Sequence, residues 1–178
     1  MKYFDTLALA MEKLSKNKKT IFLGQAVEYP GTAMFNTLKK VNKKKLIEMP
    51  VAEEMQMGLT IGLALNGDIP VSIYPRYNFI LLAINQLVNH LDKLQKLSNY
   101  EYKTKVIIRT SIGSKYPLNP QHQHLGDFTA PLKKMCKNID FIKLDKVSKI
   151  IPSYEKALNR KDGKSTVVIE YGDYYNSK

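Results

Sequence analysis

Residues 46–93 of the chain read LIEMPVAEEMQMGLTIGLALNGDIPVSIYPRYNFILLAINQLVNHLDK. A strand-like segment at 46–49 precedes residues 51–65, which carry glycine, alanine and large aliphatic side chains on every side of a helix. Such a composition predicts a helix that is buried all round. Residues 70–74 (PVSIY) are mostly apolar and are followed by Pro75, which predicts a short strand that ends at this proline. Apolar residues at helical spacing from Arg76 onward predict a long helix, so this stretch alternates strand, helix, strand, helix.

The same alternation continues along the rest of the chain. Residues 4–16 place apolar side chains at i, i+3, i+4 and i+7, the pattern of an amphipathic helix. Further strands are predicted at 20–23, 104–109, 139–144 and 166–170, and further helices at 33–41, 127–137 and 147–159. Strands and helices that alternate predict a three-layer α/β/α fold, with a mostly parallel sheet of about six strands. We expect one domain over residues 1–172 and a frayed tail at 173–178.

The net charge of +12 raises the hypothesis of nucleic-acid binding, because clustered cations release counterions from a polyanion. Against this hypothesis, the chain has 28 Lys and Arg residues, of which only Arg76, Arg109 and Arg160 are arginine. Arginine is the residue that makes most bidentate phosphate and base contacts. The charge is therefore interpreted mainly as a solvated, lysine-rich surface, which could also face an acidic partner.

Cysteine content and hydropathy bear on the compartment. Cys136 is the single cysteine, so the chain can form no internal disulfide bond, as expected in a reducing environment. No run of eighteen apolar residues is present, and the N-terminal residues mix acidic and basic side chains. The sequence thus predicts neither a membrane span nor a signal peptide, and we expect a cytoplasmic protein.

The central stretch resembles the beta subunits of the thiamine diphosphate-dependent 2-oxoacid dehydrogenases, in particular their transketolase-like pyrimidine-binding domain. In that family D-T-P-I-S-E is followed by a glycine-rich helix, then R-P, then T-F-N-F-x-x-Q-A-I-D-Q-x-x-N. The corresponding residues here are 48–53 (EMPVAE), 69–70 (IP) and 76–89 (RYNFILLAINQLVN). The three segments occur in the family's order and at its spacing, which makes the resemblance specific.

The resemblance implies roles for four residues. Glu53 corresponds to the glutamate that bonds N1′ of the cofactor's aminopyrimidine ring and so takes part in catalysis. Phe79 and Pro75 correspond to residues that contact the same ring, and His122 matches the histidine of a Q-H-S-Q loop that faces the substrate. From the residues alone, Glu53 would be an ordinary acid in the first turn of a helix, and Phe79 an ordinary core aromatic. His124 is a weaker candidate of the same loop.

Two departures from the family stand out. The family loop L-G-E-E-V reads Leu-Gly-Gln-Ala-Val at residues 23–27, so both acids are lost. The G-D-G motif that holds the diphosphate and Mg²⁺ in a separate domain is absent here, and the resemblance ends near Glu170, without the family's C-terminal domain. No set of residues has metal-ligand spacing.

The sequence therefore predicts an oxidoreductase-like subunit that is inactive alone. It would bind the pyrimidine half of thiamine diphosphate and act on a 2-oxo acid. An alpha-like partner chain would hold the diphosphate and Mg²⁺, in a heterodimer or heterotetramer, and self-association is also expected. Two alternatives remain open: a non-catalytic subunit that only binds a partner, and a basic nucleic-acid-binding protein.

Overall fold

The computed structural model describes residues 1–116 and 119–176. Within these residues a single sheet contains the strands β1 Thr20–Gly24, β2 Leu46–Glu48, β3 Ile69–Tyr74, β4 Ile107–Ile112, β5 Ile139–Lys143 and β6 Ser165–Tyr171. The strand order is β2-β1-β3-β4-β6-β5, and all neighbouring strands are parallel. The predicted α/β fold with a parallel sheet is confirmed.

Helices cover both faces of the sheet. The helices are α1 Tyr3–Ser15, α2 Ala33–Asn36, α3 Glu53–Leu65, α4 Leu94–Leu97, α5 Thr129–Met135 and α6 Val147–Asn159, joined by a 3₁₀ helix at Tyr77–Ala83 and a π-helix at Gln86–Leu91. On β6, Val168 packs into the core beneath α1 and α6, whereas Val167 and Ile169 pack into the core beneath α3. This alternation follows from the two-residue period of a strand, and it gives the molecule its three layers.

A buried ion pair links the neighbouring strands β4 and β6. Arg109 on β4 donates from Nε and Nη2 to the two carboxylate oxygens of Glu170 on β6, at 2.6 and 3.1 Å, and both side chains are fully buried. Its Nη1 donates to Oγ1 of Thr37 at 2.8 Å, and the hydroxyls of Tyr154 and Tyr175 donate to Glu170 at 2.7 and 2.6 Å. Burial and the charge of Glu170 raise the pKa of both tyrosines well above the usual range. Each nitrogen of the Arg109 guanidinium and each carboxylate oxygen of Glu170 thus has a hydrogen-bond partner.

The segment predicted as a frayed tail is ordered in its first part. Residues Gly172–Asn176 form a 3₁₀ helix, and its Tyr175 is one of the tyrosines bonded to Glu170. The prediction was wrong here because a single buried carboxylate supplies an anchor that composition does not reveal. Residues 177–178 of the tail, and Pro117 of the long loop, lie outside the described residues, and the domain limits stay a prediction.

Helix α3 is not buried all round, contrary to the prediction. The exposed fractions are 81% for Val51, just before the helix, and 52% for Met55 and 40% for Leu59 within it. Its other face is buried and fastened to β3, where Gln56 donates to Oγ of Ser72 at 3.1 Å. The isolated chain therefore presents an apolar helix face to solvent.

Two other helices differ from their predicted extent. The predicted helix 33–41 ends at Asn36, because Thr37 turns its hydroxyl back to the carbonyl of Met34 while accepting from Arg109. The predicted long helix after Arg76 is 3₁₀ at first and then widens to a π-turn, where the amide of Asp92 bonds the carbonyl of Leu87. In the described ranges, no helix combines the length and hydropathy needed to cross a bilayer.

Replacing Arg109 by Met tests the weight of the buried pair. The change leaves Glu170 charged and unpaired in the core, so we expect the free energy of unfolding to fall by about 3–5 kcal/mol. Urea unfolding followed by circular dichroism measures the loss. Lys13→Gln, which breaks the exposed pair with Glu155, is the control and should cost less than about 1 kcal/mol. Equal losses in the two variants would contradict this account.

Candidate active site

The candidate site lies at the carboxyl edge of the sheet. In the sheet, β2 lies on one side of β1 and β3 lies on the other. The chain therefore changes direction across the sheet after β2, which creates a topological switch point between β1 and β3. Open parallel sheets bind ligands in the crevice outside such a point. Gln25 directly follows β1 and Pro75 directly follows β3, and both line the same cavity of about 480 Å³.

A carboxylate from β2 fixes the loop that follows β1. Glu48 accepts hydrogen bonds from the backbone amides of Ala26, Val27 and Glu28, at 2.6, 2.8 and 2.8 Å. Ala26 has a φ of 51°, which turns successive amides toward one acceptor. The strands also approach closely here, since a Cβ added to Gly24 would lie 2.4 Å from the carbonyl oxygen of Ile73. The loop is therefore held in one conformation beside the cavity.

Glu53 occupies the first turn of α3 and is 5% exposed. Gln25 donates from Nε2 to its Oε1 at 3.1 Å, and the Tyr74 hydroxyl donates to its backbone carbonyl at 3.3 Å. Burial raises the pKa of Tyr74 above its usual range, so the hydroxyl remains a donor. Gln25, at a position where the resembling family carries an acid, thus orients the Glu53 carboxylate through its amide.

Glu53 faces a second, more open groove rather than the cavity itself. This groove has a volume of about 740 Å³ and is lined by Glu53 together with the exposed face of α3 and Leu82. Gln25 lies between the two, since it lines the cavity and bonds Glu53. Phe79 and Pro75 both line the cavity, so three of the four predicted site residues meet around Gln25.

Of the two histidines on the loop after β4, His124 is the one that lies against Phe79. The rings of His124 and Phe79 lie 5.1 Å apart with an interplanar angle of 54°, and Nδ1 of His124 is buried without a partner among the described residues. His122 is exposed. A φ of 59° at His124 and the bond from the Gly126 amide to Asn78 turn the loop inward at this residue. The role of His122 stays a prediction.

Arg76 lines the cavity as well, and sequence reasoning assigned it no role. Its Nη1 donates to the carbonyls of Ser114 and His124, both at 3.3 Å, which ties the end of β3 to the loop that carries the histidines. The sequence offers one indication of a role for Arg76: it occupies the first position of the segment that matches T-F-N-F, where the family has threonine. Within the described ranges, no three His, Cys, Asp or Glu side chains are grouped as a metal site would require.

No family model matches the chain. Curated relatives nevertheless include the 2-oxoisovalerate dehydrogenase subunit beta of Bacillus subtilis, 26% identical over 117 residues, which covers 64% of this chain and 36% of the relative. The pyruvate dehydrogenase E1 component subunit beta of Mesostigma viride is 28% identical over 123 residues, 67% of this chain and 38% of the relative. The chain is similar to 2-oxoacid dehydrogenase beta subunits over about two thirds of its length. The predicted resemblance is confirmed.

Solved structures share the fold of this chain. A split-gene transketolase, solved as an inactive β4 tetramer, matches with a TM-score of 0.71 at 17% identity, over 96% of this chain and 51% of that one. An enzyme from Mycobacterium smegmatis, whose thiamin diphosphate dependence is proposed, matches with a TM-score of 0.62 at 13% identity, over 98% and 31%. The chain spans little more than a third of the length of the curated relatives it matches.

Replacing Glu48 by Ala tests whether it fixes the β1 loop. The change removes one charged acceptor from three amides, so we expect a loss of about 2–4 kcal/mol in unfolding free energy and faster hydrogen exchange at residues 26–28. Exchange measured by NMR gives the second quantity directly. Glu28→Gln, an exposed acid on the same loop, is the control. Unchanged exchange at residues 26–28 in the Glu48 variant would refute the anchoring role.

Proposed function

We propose that the chain is the pyrimidine-binding subunit of a two-chain, thiamine diphosphate-dependent enzyme that decarboxylates a 2-oxo acid and transfers the remaining acyl or aldehyde unit. Its homology to dehydrogenase beta subunits supports the enzyme class. The observation that carries the proposal is the buried Glu53 carboxylate, held by Gln25 at the switch point of the sheet, beside a cavity lined by Phe79 and Pro75.

The residues of this chain fit the aminopyrimidine half of the cofactor. Oε1 of Glu53 is occupied by Gln25, whereas Oε2 has no protein donor among the described residues and can bond a ring nitrogen. Phe79 offers a half-buried aromatic face to a planar ring. When bound, thiamine diphosphate supplies the carbanion chemistry by which 2-oxo acids lose CO₂. Glu53 would hold N1′ and the proton there, and Gln25 would fix its orientation.

The exposed apolar face beside Glu53 supports an active site that is completed by another chain. Met55, Leu59 and Leu82 are exposed apolar side chains that line the groove together with Glu53. A Cβ added to Gly58 would meet nothing within 4 Å, so the face is open to close approach. We propose that an alpha-like partner covers this face and holds the diphosphate and Mg²⁺, and that the subunit is inactive alone, acts in the cytoplasm and also self-associates.

A second candidate is a subunit that binds a partner without doing chemistry. The observation that favours it is the replacement of the loop acids by Gln25 and Ala26, since Gln25 now occupies one oxygen of the only buried acid that faces the groove among the described residues. Both candidates require the partner. They differ in whether Glu53 matters to turnover.

Glu53→Gln in the assembled pair separates the two candidates. If Glu53 acts as a positioned proton-transfer group, kcat/KM for CO₂ release from a 2-oxo acid should fall by about 10²–10⁴. The pair would be reconstituted with a co-encoded chain that carries a G-D-G motif, and this chain alone should release no CO₂. Glu101→Gln, at an exposed acid that does not line the groove, is the control and should keep wild-type rates. Full activity in Glu53→Gln would remove the catalytic proposal.

A further inference from the structure

Only one of the three nitrogens of the Arg76 guanidinium donates hydrogen bonds to the described residues. Both of its hydrogen bonds come from Nη1, to the carbonyls of Ser114 and His124. In the described part of the chain, Nε and Nη2 donate to no acceptor. These contacts fix the plane of the guanidinium at the cavity wall and leave one edge, with two parallel N–H groups, without a partner.

No charge in the cavity compensates that cation. The described residues that line the cavity include no aspartate or glutamate. Glu48, Glu53 and Asp173 do not line the cavity and none of them pairs with Arg76: Glu48 accepts from the loop amides, Glu53 from Gln25, and Asp173 from the amide of Lys115 at 2.8 Å. The cavity instead offers neutral polar groups, including Gln25 and Asn176, next to the apolar ring of Phe79. A small anion with an apolar part is the ligand that such a lining complements.

We propose that Arg76 and this cavity form a carboxylate-binding site. The free Nε and Nη2 edge matches the two oxygens of a carboxylate, the pairing in which arginine is strongest. Arg76 replaces the threonine of the T-F-N-F segment, so this cation is a feature of this chain rather than of the motif. The identification of the ligand as the substrate 2-oxo acid rests on the proposed function; carboxylate binding itself does not.

Arginine Nε–H signals give a direct readout with internal controls. The chain contains three arginines, and the other two, Arg109 and Arg160, are already paired with carboxylates. In the chain labelled with ¹⁵N-arginine, titration with pyruvate should shift the Arg76 Nε–H signal along a saturable curve, with a Kd of about 1–10 mM. The Arg109 and Arg160 signals should not move.

Variants and ligand analogues test the chemistry. Arg76→Gln should abolish saturable pyruvate binding, seen in backbone amide shifts around the cavity, and Arg76→Lys should weaken it by about fivefold or more because lysine lacks the bidentate edge. Lys115→Gln, which removes the same charge from the neighbouring loop, should leave the Kd within about twofold. Methyl pyruvate, which is uncharged, should give no saturable shift. The amide spectrum of each variant reports whether it is folded.

The proposal would be overturned if pyruvate left the Arg76 signal of the wild-type chain unmoved, or if methyl pyruvate shifted it equally. Tighter binding of inorganic phosphate than of pyruvate would also overturn it, since the site would then be a phosphate site. These titrations use the chain without partner or cofactor. A pair that bound no thiamine diphosphate would refute the proposed function and would leave the pyruvate titration unaffected.

Discussion

The buried pair of Arg109 and Glu170 is the interaction on which both the sheet and the candidate site depend. It joins two central strands, and each partner extends to one wall of the cavity: Arg109 to Thr37, directly after α2, and Glu170 to Tyr175. Met34 on α2 and Tyr175 both line that cavity. A buried charge without its counter-charge costs free energy. The ion pair therefore stabilises the positions of the segments around Thr37 and Tyr175, which supply its remaining hydrogen bonds.

Of three carboxylates near the carboxyl edge of the sheet, two stabilise the structure and one remains available to a ligand. Glu170 is bonded to Arg109 in the core, and Glu48 is bonded to the backbone amides of the loop after β1. Glu53 alone keeps an oxygen available, and Gln25 orients it. Local geometry separates these acids: Glu48 ends a strand opposite a loop whose amides converge, whereas Glu53 begins a helix that faces an open groove.

Patterns in the sequence were sufficient for the sheet and for the place of Glu53, because strand alternation and an ordered set of motifs are local signals. They failed where tertiary contacts decide. The short α2 depends on the bond between Thr37 and Arg109, and the order of residues 172–176 depends on Glu170. The exposed face of α3 is apolar enough to suggest burial, and only the position of the helix shows that none of the described residues covers it. His124 lies beside Phe79 because a left-handed residue turns the loop, which spacing alone does not predict.

We propose that Glu53 belongs to a cofactor site that is complete only in a pair of chains. Calorimetric titration of thiamine diphosphate with Mg²⁺, into this chain alone and into the assembled pair, tests it most directly. The account predicts no binding to the single chain and binding to the pair, weakened about 10- to 100-fold in Glu53→Gln by the loss of a charged hydrogen bond. A pair that binds no cofactor, or binds it equally well with Glu53→Gln, would contradict the claim.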